Sequence, residues 1–99
     1  MTLEFFYTNY DIKDIEIKKL CVKDNQLYLV GKYNVYLELI ANGYRPEMNM
    51  DLDKTFIFNV NHHDHKFKTN NVKLINENNN FYILIDNDRI QLEGEVVCL

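Results

Sequence analysis

An all-β fold follows from three features of this sequence: apolar residues recur with period two, Asn- and Asp-rich turns separate the runs, and the chain repeats itself. Period-two alternation means strands with one buried face. The fold predicted is a small barrel or two-sheet sandwich of two similar four-strand meanders with pseudo-twofold symmetry. The repeat runs from 2–40 to 55–93, with a linker over 41–54, inside a single domain of 99 residues. Neither half alone is large enough to close a core.

The repeat is legible residue by residue. Thr2-Leu3-Glu4-Phe5-Phe6 aligns with Thr55-Phe56-Ile57-Phe58-Asn59, and Asp11 and Lys13 with Asp64 and Lys66. Lys19-Leu20 matches Lys73-Leu74, and Asn25-Gln26-Leu27-Tyr28-Leu29 matches Asn79-Asn80-Phe81-Tyr82-Ile83. Val35-Tyr36-Leu37-Glu38 then matches Ile90-Gln91-Leu92-Glu93. The shift grows by one residue at each of two polar turns, where insertions cost least.

Taken in order, Leu3, Phe5 and Tyr7 alternate with Glu4, Phe6 and Thr8 and read as a first strand. Ile12, Ile15 and Leu20 suit one face of a short helix, which makes an α+β domain with a helix near 12–20 the runner-up. Ile15 and Ile17 are out of phase with Leu20 and Val22, so a bulge at Lys18-Lys19 explains the same pattern. Lys23-Asp24-Asn25-Gln26 is a turn, because Asn and Asp tolerate left-handed backbone. Leu27, Leu29 and Gly31 then alternate with Tyr28, Val30 and Lys32. Tyr33-Asn34 is read as a turn before Val35, Leu37 and Leu39. In the second half, turns at 76–80 and 86–88 flank Phe81, Ile83 and Ile85, while Ile90, Leu92, Val96 and Cys98 keep phase across Gly94. Leu27, Leu29, Leu37, Phe81, Ile83 and Leu92 are the expected core. Leu3–Thr8 and Val96–Leu99 are the expected edges, pairing with each other to close the sheet or forming a symmetric homodimer.

The formal charge of −4 argues against general nucleic-acid binding, which needs a basic face. Charges of both signs are interleaved, as on a solvated surface. No basic segment followed by an apolar stretch opens the chain, and its longest apolar run is far too short for a bilayer, so a cytoplasmic protein with no membrane contact is expected. Cys21 and Cys98 are expected as reduced thiols, with pairing left open. Heavy use of Asn, Lys and Ile points to an AT-rich bacterial or phage genome.

Catalytic raw material is sparse. There is no serine, the glycines are isolated, and no nucleophile sits beside a base in the sequence, so no catalytic residue and no cofactor is assigned. Asp51-Leu52-Asp53 lacks the glycine and distal glutamate of a calcium loop. Two functional readings stand. The first is a non-catalytic interaction module for a protein partner, such as an inhibitor, immunity or phage-accessory protein. It would use Tyr28, Tyr36 and Tyr82 on one sheet face, with Tyr44, Arg45, Met48 and Met50 in or beside the linker, since tyrosine combines apolar area with a polar tip. The second is a metal- or small-ligand-binding domain using His62, His63, Asp64 and His65, a ligand set suited to zinc, nickel or copper.

Overall fold

The structure is a computed structural model that describes residues 1–38, 47–68 and 71–99, with side chains described for all of these but 35–38 and 47–50. It is mostly β. After one helix, α1 (Leu3–Asn9), and a 3₁₀ turn at Ile12–Asp14, the chain forms β1 (Ile15–Lys23), β2 (Gln26–Glu38), β3 (Glu47–Val60), β4 (His65–Phe67), β5 (Val72–Glu77), β6 (Asn80–Ile85) and β7 (Asp88–Cys98). All seven strands lie in one antiparallel sheet of order β4-β1-β2-β3-β7-β6-β5, curled into a half-barrel.

Connectivity demands the curl. β4 and β5 are the two edges, yet Phe67 and Val72 are only five residues apart in the chain. Five Cα steps reach ~18 Å at most. A flat seven-strand sheet separates its edge strands by ~29 Å. Only a rolled sheet brings its edges within that reach.

The concave face holds the core. Leu27 and Leu29 of β2, Phe56 and Phe58 of β3, Ile83 and Ile85 of β6 and Val96 of β7 are all fully buried. Each such side chain contributes ~1.5–3 kcal/mol by leaving water. Of the expected core, Leu27, Leu29, Ile83 and Leu92 are buried and Phe81 packs partly buried against them; Leu37 lies where side chains are not described. Among the described residues, no polar or charged side chain is buried.

Leu3–Asn9 is a helix, not the expected first strand. Leu3, Phe5 and Tyr7 alternate, but the adjacent pair Phe5-Phe6 places an aromatic on either side of a strand and Phe6 one turn from Tyr10 on a helix, and local capping decides. Thr2 Oγ1 accepts the Phe5 N–H at 3.1 Å, and the Asn9 side chain donates to the Phe5 carbonyl at 2.9 Å. Phe6 and Tyr10, one turn apart, stack at 5.2 Å, and Phe6 stands edge-on to Phe56 and Phe58 at 4.9 and 5.2 Å. The helix thus packs into the open side of the half-barrel, against β7 and β5, with Phe6 as its wedge.

The 12–20 segment resolves into the 3₁₀ turn followed by strand. Asp11 accepts the Lys13 N–H at 3.0 Å to start the turn. The β1–β2 register slips between Ile17 and Lys19, so the bulge explains the change of phase.

The halves correspond in one hairpin each and no further. Asp24-Asn25 (φ 52° and 60°) and Asn78-Asn79 (φ 53° and 66°) are two-residue turns with both central residues left-handed, between Lys23↔Gln26 and Glu77↔Asn80. Beyond them the halves diverge: 2–40 contains a helix, and its strand does not turn at Tyr33-Asn34. There β2 runs on because Tyr33 and Asn34 pair with Leu52 and Asp51, Asn34 Nδ2 donating to Asp51 Oδ1 at 2.9 Å. Consequently 47–54 is part of β3 rather than linker, while 41–46 lie outside the described residues.

Neither expected edge is a free edge strand: Leu3–Thr8 is helical, and Val96–Leu99 runs beside β3. Met1 and Val96 exchange backbone hydrogen bonds at 2.7 and 2.8 Å, and Thr55 and Leu99 do so at 3.2 and 2.9 Å. The two chain ends do meet, through Met1–Thr2 and Glu95–Val96, but this pairing leads into α1 instead of closing the sheet. Gly94 (φ +65°) sits where β7 slips against β3 and leaves β6, freeing β7 to receive the N-terminus.

Candidate functional site

Strand alternation sends Tyr28 to the convex face, opposite the buried Leu27 and Leu29. Its cross-strand neighbours are Cys21 on β1 and Ile57 on β3, and Ile57 in turn pairs with Val97 on β7. Lys66 of β4 pairs with Cys21. One transverse row, Lys66–Cys21–Tyr28–Ile57–Val97, therefore crosses five strands. A second row beside it runs Lys19–Val30–Thr55 and ends at Leu99, bonded to Thr55.

The centre of this face is apolar and open to solvent. Val97 is 49% and Leu99 71% exposed, with Tyr28, Val30 and Ile57 half-buried around them. The Tyr28 hydroxyl donates to Gln26 Oε1 at 3.0 Å, which holds the ring over the strand. Cys21 is buried on this convex side, outside the core cluster, whereas Cys98 packs against the core on the concave side; both thiols are free.

Tyr82 is also convex but belongs elsewhere. β3 and β7 separate it from Tyr28, and the Arg89 guanidinium lies 4.1 Å from its ring centre while pairing with Glu77. Tyr82 thus supports a local cation–π and ion-pair arrangement rather than extending the Tyr28 patch. Tyr36, Met48 and Met50 lie in the β2–β3 ribbon, in the pairs Tyr36↔Asn49, Leu37↔Met48 and Val35↔Met50, where the backbone alone is described; Tyr44 and Arg45 fall outside the described residues. Past Asn34 and Asp51 that ribbon has no further neighbour among the described strands.

The histidines occupy the approach to β4. The rings of His62 and His63 stack at 4.1 Å, His63 and His65 stand 5.7 Å apart, and His65 meets Phe67 edge-on at 4.6 Å. Asp64 Oδ1 is engaged otherwise, accepting the Asp24 N–H at 3.0 Å. Among the described residues, no group of three or more His, Cys, Asp or Glu side chains converges as metal ligands would.

Two cavities border these elements. One, of about 520 Å³, lies between α1, the 3₁₀ turn and β5, with Tyr7, Tyr10 and Tyr33 in its wall. The other, of about 590 Å³, is bounded by Lys19, Cys21, Val22, Lys23, Asp64, His65 and Lys66. Sequence reading missed the second because its lysines come from two strands far apart in the chain. The alternation of Lys19, Cys21 and Lys23 was the one visible sign. No helix among the described residues is long and apolar enough to cross a membrane.

Comparison of the chain with protein-family models, curated proteins and solved structures yields no match.

Proposed function

We propose that the protein is a non-catalytic interaction module that binds a protein partner through the convex face of β2, β3 and β7. The observation that carries this reading is the apolar row Tyr28–Ile57–Val97, half-buried at Tyr28 and Ile57 and exposed at Val97, with the exposed Leu99 beside it. A contiguous apolar patch with an aromatic residue in it is characteristic of binding surfaces, because covering it removes apolar area from water without moving the backbone. The β2–β3 ribbon projecting beyond its neighbours adds an arm a partner can hold. An inhibitor or immunity-type protein acting in the cytoplasm on a larger partner is the form this role takes. The second reading, metal or small-ligand binding at His62, His63, Asp64 and His65, has the approach of the His63 and His65 rings in its favour, but no three ligand groups converge among the described residues.

The test is retention of a host protein by the wild type and by Val97→Lys. Loss of the same protein from the variant, with an unchanged melt, supports the reading. Equal retention by both overturns it. A wild type that is dimeric in light scattering and monomeric as Val97→Lys assigns the patch to a second copy of the chain instead.

A further inference from the structure

Three lysines from two strands surround Cys21 on the convex face, at the end of the sheet away from Val97. Lys19 and Lys23 flank Cys21 at i−2 and i+2 on β1, each ~6.6 Å along the strand and on the same face. Lys66, directly opposite Cys21, is therefore the diagonal neighbour of both, at the ~7–8 Å usual for diagonal cross-strand pairs. All three are exposed, and with the buried Cys21 they line the cavity of about 590 Å³. The one carboxylate in that lining, Asp64, accepts the Asp24 N–H, and among the described residues none of the three ammonium groups is paired with a carboxylate.

Lys19, Lys23 and Lys66 put three positive charges on one face within two strand positions of Cys21. Their concentration at one corner of a chain of net charge −4 is the feature to be explained. We propose that Lys19, Lys23 and Lys66 form a binding site for a compact polyphosphate group, free or carried by a nucleotide. Lysine acts as a flexible point charge toward phosphate, and three such stems reaching over one small residue suit a multiply charged oxyanion with several acceptor oxygens. Cys21 keeps the centre low, so the ligand is met by ammonium groups at the rim. A long nucleic acid is disfavoured: the basic area spans little more than one β-strand, and the net charge around it is acidic.

The experiment titrates inorganic pyrophosphate into the ¹⁵N-labelled protein, with sodium chloride at matched ionic strength as the control. Saturable shifts are expected at the amides of Lys19, Cys21, Lys23 and Lys66. Lys19→Gln and Lys66→Gln should each weaken binding about tenfold, the loss expected from one charge-assisted contact, and Lys32→Gln should leave it unchanged. Circular dichroism melts confirm that each exposed-site variant is folded. An ADP arm separates the sources: affinity equal to pyrophosphate means the phosphates alone are read, and tighter binding with shifts at Tyr28 means a nucleotide is. The proposal is overturned by shifts that merely follow ionic strength, by equal affinity in the lysine variants, or by binding of a short RNA without binding of pyrophosphate.

Discussion

The backbone N–H of Asp24 donates to Asp64 Oδ1 at 3.0 Å, joining residues 40 apart in the chain. Asp24 is the first left-handed residue of the β1–β2 turn, and Asp64 ends the histidine segment leading into β4. The bond fixes the short edge strand β4 to the end of the hairpin it pairs with. Asp64→Ala should cost about 0.5–1.5 kcal/mol, the net worth of one hydrogen bond, in urea unfolding. Faster amide exchange at Lys66 and Phe67 should accompany it. Unchanged exchange in β4 would show that strand pairing alone holds the edge.

The same bond bears on metal. With Asp64 engaged and no third ligand converging among the described residues, stoichiometric zinc should leave the melting temperature unchanged. A real site stabilises the fold by mass action. A rise that disappears in His63→Ala would establish the histidine cluster as a site.

Phe6 should be far more costly to remove than its neighbour Phe5. It is fully buried between Tyr10, Phe56 and Phe58. Phe6→Ala should destabilise by about 3–5 kcal/mol, whereas the neighbouring Phe5, 52% exposed, should tolerate alanine with little change. Chemical denaturation of the two variants side by side decides it; equal midpoints would mean the helix contributes little to the core.

On the sheet itself, Leu29→Ala and Ile83→Ala should each cost about 2–5 kcal/mol, since both side chains are fully buried in the concave core. Variants that melt with the parent would contradict the assignment of the inward face.

Gly31 is fixed by space and Gly94 by conformation. A Cβ on Gly31 would collide with Ile15 Cγ2 and meet the Glu16 carbonyl oxygen at 2.8 Å. The backbone oxygen is the harder obstacle, so Gly31→Ala should cost about 1–3 kcal/mol by overpacking β1 against β2. Gly94→Ala meets only the Asn59 amide at 3.4 Å, and its cost should be the ~1–2 kcal/mol of left-handed backbone. Thermal melts rank the two; a neutral Gly31→Ala would mean that β1 moves aside freely.

What the sequence determined by itself is local. Period two marked the strand runs at 27–32, 81–85 and 90–98, paired Asn and Asp residues marked the tight turns at 24–25 and 78–79, and the phase change at Lys18-Lys19 marked the bulge, because backbone sterics and side-chain alternation act over a few residues. The convex position of Tyr28 was legible for the same reason. Tertiary structure decided the rest. Leu3–Asn9 became a helix because Thr2 caps it and the concave sheet offered Phe6 a pocket between Phe56 and Phe58. Tyr33-Asn34 stayed extended because β3 was there to pair with it, so the repeat visible in the sequence survives only as two matching hairpins. The joining of Lys66 to Lys19 and Lys23, and of Val97 to Tyr28 through Ile57, depends on strand order and register. Those are set by which edges meet when the sheet rolls up, a global packing outcome that no short window of residues encodes.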